Sequence, residues 1–361
     1  MDKLKRYIDC IVPIEGCTLR CHYCYITCHR KFNNNKAVFK YTPAQVKAAM
    51  TKERLGGTCL VNLCGAGETL IPEEVLDYAK ALLENGHYVM LVTNATLTSR
   101  FELMSKWPKG LLERLFFKFS YHYLQLKERN LLDRFFSNIK MMKDAGASFT
   151  VEVTPSDELI PFVDECIQRC VDELGAKPHC TVARDERVPD KLPILTNMTR
   201  DEYKAFWGQK FESKLFEYKL SIFEVPRKEF CYAGVWSNHF VLGSGVLKQC
   251  YMTLAGQDIV KDPSRPIKVP AIGRCQELHC YNGHSWIALG DIPELESPTY
   301  AEMRNRVCAD GSEWLNERFK AFVSQRTCDN NEHYGPAKKF ITVMNTMARK
   351  TIKKTRAFLG R

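Results

Sequence analysis

Three cysteines fall within eight residues, in the run Cys17-Thr18-Leu19-Arg20-Cys21-His22-Tyr23-Cys24. Gaps of three and then two residues let three thiolates face one metal centre from a single loop. Three thiolates with a fourth position open suit an iron–sulfur cluster that binds something besides protein. Zinc, usually held by four ligands, is the alternative, and three unrelated buried thiols are the plain one. Cys28 stands four residues further on, either as a competitor for the open iron or as a bystander on the same loop. A second set, Cys231, Cys250, Cys275 and Cys280, lies in loop-rich sequence. Four cysteines can ligate one cluster fully, and a closed four-thiolate site suits zinc too. Cys275 and Cys280 are separated by four residues, so His279 or Cys308 stands as an alternative fourth ligand.

The stretch Cys64-Gly65-Ala66-Gly67-Glu68-Thr69 places glycines where a ligand can approach the backbone. Thr93-Asn94, Ser120 and Glu152 put polar groups at or near strand ends. Thr93-Asn94 and Ser120 read equally as ordinary strand-end hydrogen bonding, and Glu152 equally as a residue of a surface face. Cys10, Cys59, Cys166, Cys170 and Cys180 fall on expected strands or a helix and read as core or surface thiols.

Alternating elements must position these groups. Expected strands are Tyr7–Pro13, Thr58–Leu63, His87–Thr93, Leu115–Ser120, Ser148–Thr154 and Lys177–Ala183. Between them come helices: one opened by Thr42-Pro43 and closed by Gly56-Gly57, then Pro72–Glu84, Ser99–Trp107, one ending at Ala145, and Ser156–Leu174. Strand–helix alternation argues for a parallel sheet with helices outside. Six units are too few for a closed eight-fold barrel, so the expected fold is α/β, a partial (β/α)6 TIM-like barrel with its site at the C-terminal strand ends. Residues 1–190 form that barrel, 191–224 a helical connection with one helix over Asp201–Leu220, and 225–285 a cysteine-rich domain. In that domain Cys231–Gln249 forms a hairpin turning at Gly243-Ser244-Gly245, which brings Cys231 and Cys250 close together. Residues 286–361 form a helical basic extension.

Composition sets outer bounds. The 361 residues are 45% hydrophobic and 26% charged, which excludes wholesale disorder. No apolar run reaches about 18 residues, so no membrane span is expected. Met1-Asp2-Lys3-Leu4-Lys5-Arg6 leads into a strand without a small-residue cleavage site, which argues against a secretory signal and for the cytoplasm. Sixteen cysteines in such a chain point to metal or redox chemistry rather than disulfides. A net charge of +10 is compatible with an anionic substrate, a nucleic acid or a membrane surface. No nucleic-acid motif appears. Phe340, Val343, Met344 and Met347 form a helical stripe among Lys338, Lys339, Arg349, Lys350, Lys353, Lys354, Arg356 and Arg361. That helix either packs with a solvated basic face or touches an anionic membrane.

The first cysteine loop, with Tyr23 before its last cysteine, resembles the signature loop of the radical S-adenosylmethionine (SAM) superfamily. Cys64–Thr69 resembles that family's glycine-rich motif, with Ala66 a departure from the usual run. The resemblance implies that Cys17, Cys21 and Cys24 hold three irons of a 4Fe–4S cluster whose fourth iron binds SAM. It implies reductive cleavage of SAM to a 5′-deoxyadenosyl radical that abstracts a substrate hydrogen. Tyr23, Gly65, Ala66, Gly67, Glu68, Asn94, Ser120 and Glu152 become expected SAM contacts, with Glu68 on the methionyl amine and Glu152 on the ribose or substrate.

The segment Cys231-Tyr232-Ala233-Gly234, with Gly245 and Cys250, resembles the auxiliary-cluster domain called SPASM. The cysteines for a second cluster in that domain are missing, so its shorter twitch form fits better. A fully ligated auxiliary 4Fe–4S cluster would take an electron, which favours net oxidation of a peptide or sugar-like substrate. Epimerisation is the alternative, with Cys328 or Cys28 returning a hydrogen atom. The implied electron donor is a flavodoxin or ferredoxin. The first strand begins near residue 7, so no peptide-recognition domain is expected before the barrel. A zinc-binding regulatory protein and a simple iron–sulfur electron carrier are the readings from other classes.

Overall fold

The computed structural model describes residues 2–188 and 191–346. Six parallel strands follow one another in sequence order: β1 (Leu4–Val12), β2 (Thr58–Gly65), β3 (Tyr88–Thr93), β4 (Leu115–Ser120), β5 (Ser148–Val153) and β6 (His179–Cys180). Helices on one face complete the partial barrel. Side chains alternate across each strand. One set, including Ile8, Cys10, Val61, Leu63, Val89, Leu91, Phe117 and Phe119, packs under the helices in the main core. The other set faces inward.

Local signals explain the helices. Thr42 caps Pro43–Ala49 with a capping box completed by Gln45. The helix Glu74–Glu84 buries Val75, Leu76, Tyr78, Ala79, Leu82 and Leu83 along one stripe. After β5 the expected single helix starts as a 3-10 turn, Asp157–Phe162, because Pro161 withholds an amide, and becomes α-helical only at Val163–Leu174. The expected helix over Asp201–Leu220 is two helices, Arg200–Phe211 and Lys214–Ser221, broken where Glu212 takes a left-handed conformation at φ 45°. The sixth strand is shorter than Lys177–Ala183; only His179 and Cys180 pair with β5.

The cysteine-rich segment joins the same sheet. Phe230–Cys231 (β7) precedes Ser237–Val241 (β8), which pairs in parallel with β1 from Tyr7↔Ser237 to Ile11↔Val241. Val246–Lys248 (β9) and Gly256–Asp258 (β10) extend that edge antiparallel, giving the order β10-β9-β8-β1-β2-β3-β4-β5-β6. The hairpin does turn at Gly243-Ser244-Gly245, with Gly245 at φ 75°. It is β8–β9, however, and Cys231 lies before it. Cys231 pairs instead with Gly273 in Gly273–Arg274 (β11), two residues before Cys275.

The tail closes the N-terminal end of the inward face. Phe319 and Phe322, from the helix Glu317–Val323, stack on Phe116 at 4.8 Å and on Tyr88 at 3.7 Å between ring centroids. Such pairs contribute about 0.5–1.5 kcal/mol each beyond the area they bury. Residues 336–346 are helical and lie against β11, where Thr346 Oγ1 donates to the Ile272 carbonyl at 3.1 Å. Phe340 and Met344 are exposed there. Met347, Arg349, Lys350, Lys353, Lys354, Arg356 and Arg361 lie outside the described residues. Among the described residues, no helix is long and apolar enough to cross a membrane.

Candidate functional site

Cys17, Cys21 and Cys24 sit on the loop leaving β1, at the C-terminal end of the sheet. They line one cleft of about 220 Å³ together with Gly65, Ala66, Gly67, Glu68, Asn94 and Ser120. The sheet therefore brings to one place residues that lie more than a hundred positions apart in sequence. Tyr25 and His122 line the same cleft.

Two loops interlock beneath it. Gly67 N–H donates to the Ile14 carbonyl at 3.0 Å and Glu68 N–H to the Gly16 carbonyl at 2.9 Å. A β-carbon on Gly67 would overlap the Gly16 carbonyl, and one on Gly65 would meet the Ile14 side chain at 2.6 Å. The Tyr25 hydroxyl donates to the Ala66 carbonyl at 2.6 Å, a second tie between the loops. Glu68 borders the cleft, but its carboxylate already serves the fold. Oε1 accepts from Thr93 Oγ1 at 2.6 Å and Leu70 N–H at 3.1 Å, and Oε2 accepts from Asn94 N–H at 2.8 Å. Burial raises its carboxyl above the ordinary range, against the pull of those donors. Asn94 Nδ2 in turn reaches Thr18 Oγ1 at 2.9 Å and Cys17 Sγ at 3.6 Å.

The three thiols are half-buried or buried. Burial pushes Cys17 up to about 11 and Cys21 up to about 12, and raises Cys24 as well. Without a cation they are thiols; a metal centre draws off the protons. Three clustered thiols beside a glycine-built cradle fit a cluster with an open position.

Tyr23 and Cys28 face a neighbouring cleft of about 650 Å³ whose lining includes His22, Asp157, Glu158 and Glu186. Tyr23 still touches the first cleft indirectly, because its hydroxyl lies 2.8 Å from Nδ1 of His122. Burial, and then Lys118, hold the His122 ring neutral with a pKa of about 4. Cys28 Sγ donates to the His22 carbonyl at 3.4 Å. Cys328 is not brought to either cleft. It packs with Tyr232 and Trp236 and crowds Gly290.

Glu152 points inward as the strand alternation requires, and it is not free. Lys118 Nζ lies 3.0 Å from Oε2 and Arg304 Nε 2.9 Å from Oε1. Burial alone would raise its carboxyl; Arg304 and Lys118 outweigh that and hold it below the usual carboxylate range. On the same face, Asp9 accepts from Asn62 Nδ2 at 2.9 Å and pairs with His239 Nδ1 at 3.2 Å. Sequence reading passed over Asp9, Asn62 and Lys118, although each interrupts an apolar strand at a period of two. His122, His239 and Arg304 left no local signal.

The second set of thiols also converges. Cys231, Cys250, Cys275 and Cys280 line one small cavity, roofed by Tyr251, Ile272 and Trp286. Burial pushes Cys280 up to about 12 and raises Cys231 and Cys250 further. His279 lines this cavity too, so it stays a ligand candidate, whereas Cys308 is elsewhere. Its thiol donates to the Leu174 carbonyl at 3.2 Å and crowds Gly175, inside the main core. Asp291, unanticipated from sequence, borders the cavity with burial pushing its carboxyl up to about 8. Among the described residues, no three cysteine, histidine or carboxylate side chains are grouped as one ion requires. A cubane takes each thiolate on a separate iron and asks for wider spacing than a tetrahedral zinc.

Comparison with known proteins gives one family match. Residues 11–154 match the model of the radical SAM superfamily. Among solved structures, Streptococcus suis SuiB aligns with a TM-score of 0.48 and 15% identity, covering 72% of this chain and 64% of that one. The chain thus spans 64% of the length of SuiB. The structure of native anSMEcpe with bound AdoMet and Cp18Cys peptide aligns with a TM-score of 0.46 and 12% identity, over 98% of this chain and 99% of that one. BtrN in complex with AdoMet and 2-DOIA gives a TM-score of 0.30 and 11% identity, over 92% of each. No curated protein matches the chain in sequence.

Proposed function

We propose, from the premise that residues 11–154 are a radical SAM domain, that the chain is an enzyme acting by substrate hydrogen abstraction. The cofactors of that domain are a 4Fe–4S cluster and SAM, which together supply, by one-electron cleavage of SAM, the 5′-deoxyadenosyl radical that takes the hydrogen. Cys17, Cys21 and Cys24 would hold the cluster. The Gly65–Gly67 backbone, Asn94 and Ser120 would hold SAM, and Tyr23 would act through His122. Cys231, Cys250, Cys275 and Cys280 would hold an auxiliary 4Fe–4S cluster.

The observation that carries this reading is the shared cleft. Three thiols, the glycine loop and two strand-end polar groups from β3 and β4 border one space, and the two loops are hydrogen-bonded to each other there. The four-thiol cavity favours net oxidation, with a peptide or sugar-like molecule as substrate and a flavodoxin or ferredoxin as electron donor. Epimerisation would draw its hydrogen from Cys28, on the neighbouring cleft, rather than from Cys328. Sixteen free cysteines support a reducing compartment such as the cytoplasm.

The test is anaerobic reconstitution, with iron and sulfide counted per chain and deoxyadenosine measured after addition of SAM and dithionite. About eight irons with deoxyadenosine formation, lost in Cys24→Ala, is the expected result. Zinc without deoxyadenosine would overturn it.

A further inference from the structure

The charges that meet at the inward face of the sheet do not balance. Lys118 and Arg304 both contact Glu152, at 3.0 and 2.9 Å. Lys219, from the helix Lys214–Ser221, reaches the same group of charges and is 8% exposed. Its Nζ donates to Thr181 Oγ1 at 2.6 Å, a neutral partner. Burial first, and then Arg184 and Lys118, hold the Lys219 amine well below the usual lysine range, so two fixed cations and this amine share one carboxylate. The neighbouring ionic groups are already committed. Arg184 pairs with Glu186 at 3.2 Å, and Asp9 is held by His239 and Asn62.

Arg304 makes the imbalance specific. It is 0% exposed, its guanidinium lies 4.7 Å from the centroid of the Tyr300 ring, and its Nε approaches Glu152 without hydrogen-bond alignment. Among the described residues, Nη1 and Nη2 have no hydrogen-bond partner. A buried cationic group without partners is strongly unfavourable, and buried charges are as a rule paired. The free Nη pair is a planar fork of the shape that grips an oxyanion with two parallel bonds. Lys118 lies two residues before Ser120 on the same face of β4, and Glu152 on β5 is the register partner of Ser120, so the charges adjoin a strand end that borders the cleft.

We infer that the barrel interior binds an oxyanion of the substrate, a carboxylate or phosphate group, held by the Nη fork of Arg304 and flanked by Lys219. The inference rests on the radical SAM reading for its placement beside the SAM cleft, and it narrows the substrate to an acidic molecule. Glu152 is then a positioning residue that fixes Arg304 and Lys118, not a ribose contact.

The reconstituted holoenzyme would be titrated with inorganic phosphate and, separately, malonate, against potassium chloride at matched ionic strength. Binding is read from the thermal midpoint and by calorimetry. At least one probe should raise the midpoint saturably beyond chloride; phosphate or malonate as the tighter one reports which oxyanion the site takes. Arg304→Gln and Lys219→Met should each weaken that binding by about tenfold. If Arg304→Gln does not fold, Lys219→Met decides. No effect beyond chloride, or wild-type affinity in the folded variants, would overturn the inference. Deoxyadenosine formation by the wild type is scored independently. SAM cleavage without anion binding removes the oxyanion site alone; anion binding without SAM cleavage removes the radical reading and leaves the site standing.

Discussion

Gly67 lies so close to Gly16 that its α-carbon can carry no side chain: a β-carbon there would overlap the Gly16 carbonyl. The glycine loop after β2 is thus a template for the backbone that enters the first cysteine loop. Backbone, not a flexible side chain, is what a substitution would have to displace.

Gly67→Ala should therefore damage the first thiol site without touching the second. Reconstituted protein should hold about four irons rather than about eight, and SAM-dependent deoxyadenosine should fall at least about tenfold. Iron and sulfide analysis beside the SAM assay checks this. A normal iron count and normal cleavage would show that the loops do not need their close contact.

Glu68 should behave first as a structural residue. Its oxygens accept from Thr93, Leu70 and Asn94, and two of those donors are backbone amides that cannot turn away. Glu68→Gln sets an amide donor against one of them whichever way it is flipped. The expected loss is about 1–3 kcal/mol of stability, read from the urea midpoint.

Cys250→Ala separates the two thiol sets. It should reduce iron from about eight to about four per chain while SAM cleavage to deoxyadenosine persists. Loss of all iron would mean that the two sites fold as one unit.

His87 gives stability a pH dependence away from both sites. Its Nδ1 accepts from Cys59 N–H at 3.2 Å and its Nε2 lies 2.8 Å from the Met50 carbonyl, so the ring is neutral and already fully used. Burial comes first among the causes that lower its pKa from 6.5 to about 4. The unfolded chain then binds the proton more readily, so stability is full above about pH 6.5 and falls as pH drops towards 4. The contribution is about 3 kcal/mol over that window. Urea denaturation at a series of pH values should show this slope, reduced in His87→Gln; an unchanged slope would assign it to other groups.

The sequence by itself determined the elements whose signals are local. The Cys17, Cys21 and Cys24 spacing, the glycines at Gly65 and Gly67, the Thr42-Pro43 cap and the six strand–helix units are all readable from short-range pattern, because a loop geometry or a capped helix depends on a few adjacent residues. The same is true of the turn at Gly243–Gly245. It missed the break at Glu212, where tertiary packing overrode a continuous helical pattern. Only the tertiary structure decided that β8 pairs with β1, which places Cys231 outside the hairpin and beside β11. It also decided that Arg304 enters the sheet to meet Glu152 and Lys118, and that Tyr23 meets His122. These contacts join positions up to some 230 residues apart. Their free energy depends on which buried charge finds which partner once the sheet has closed, and nothing in local periodicity encodes that pairing.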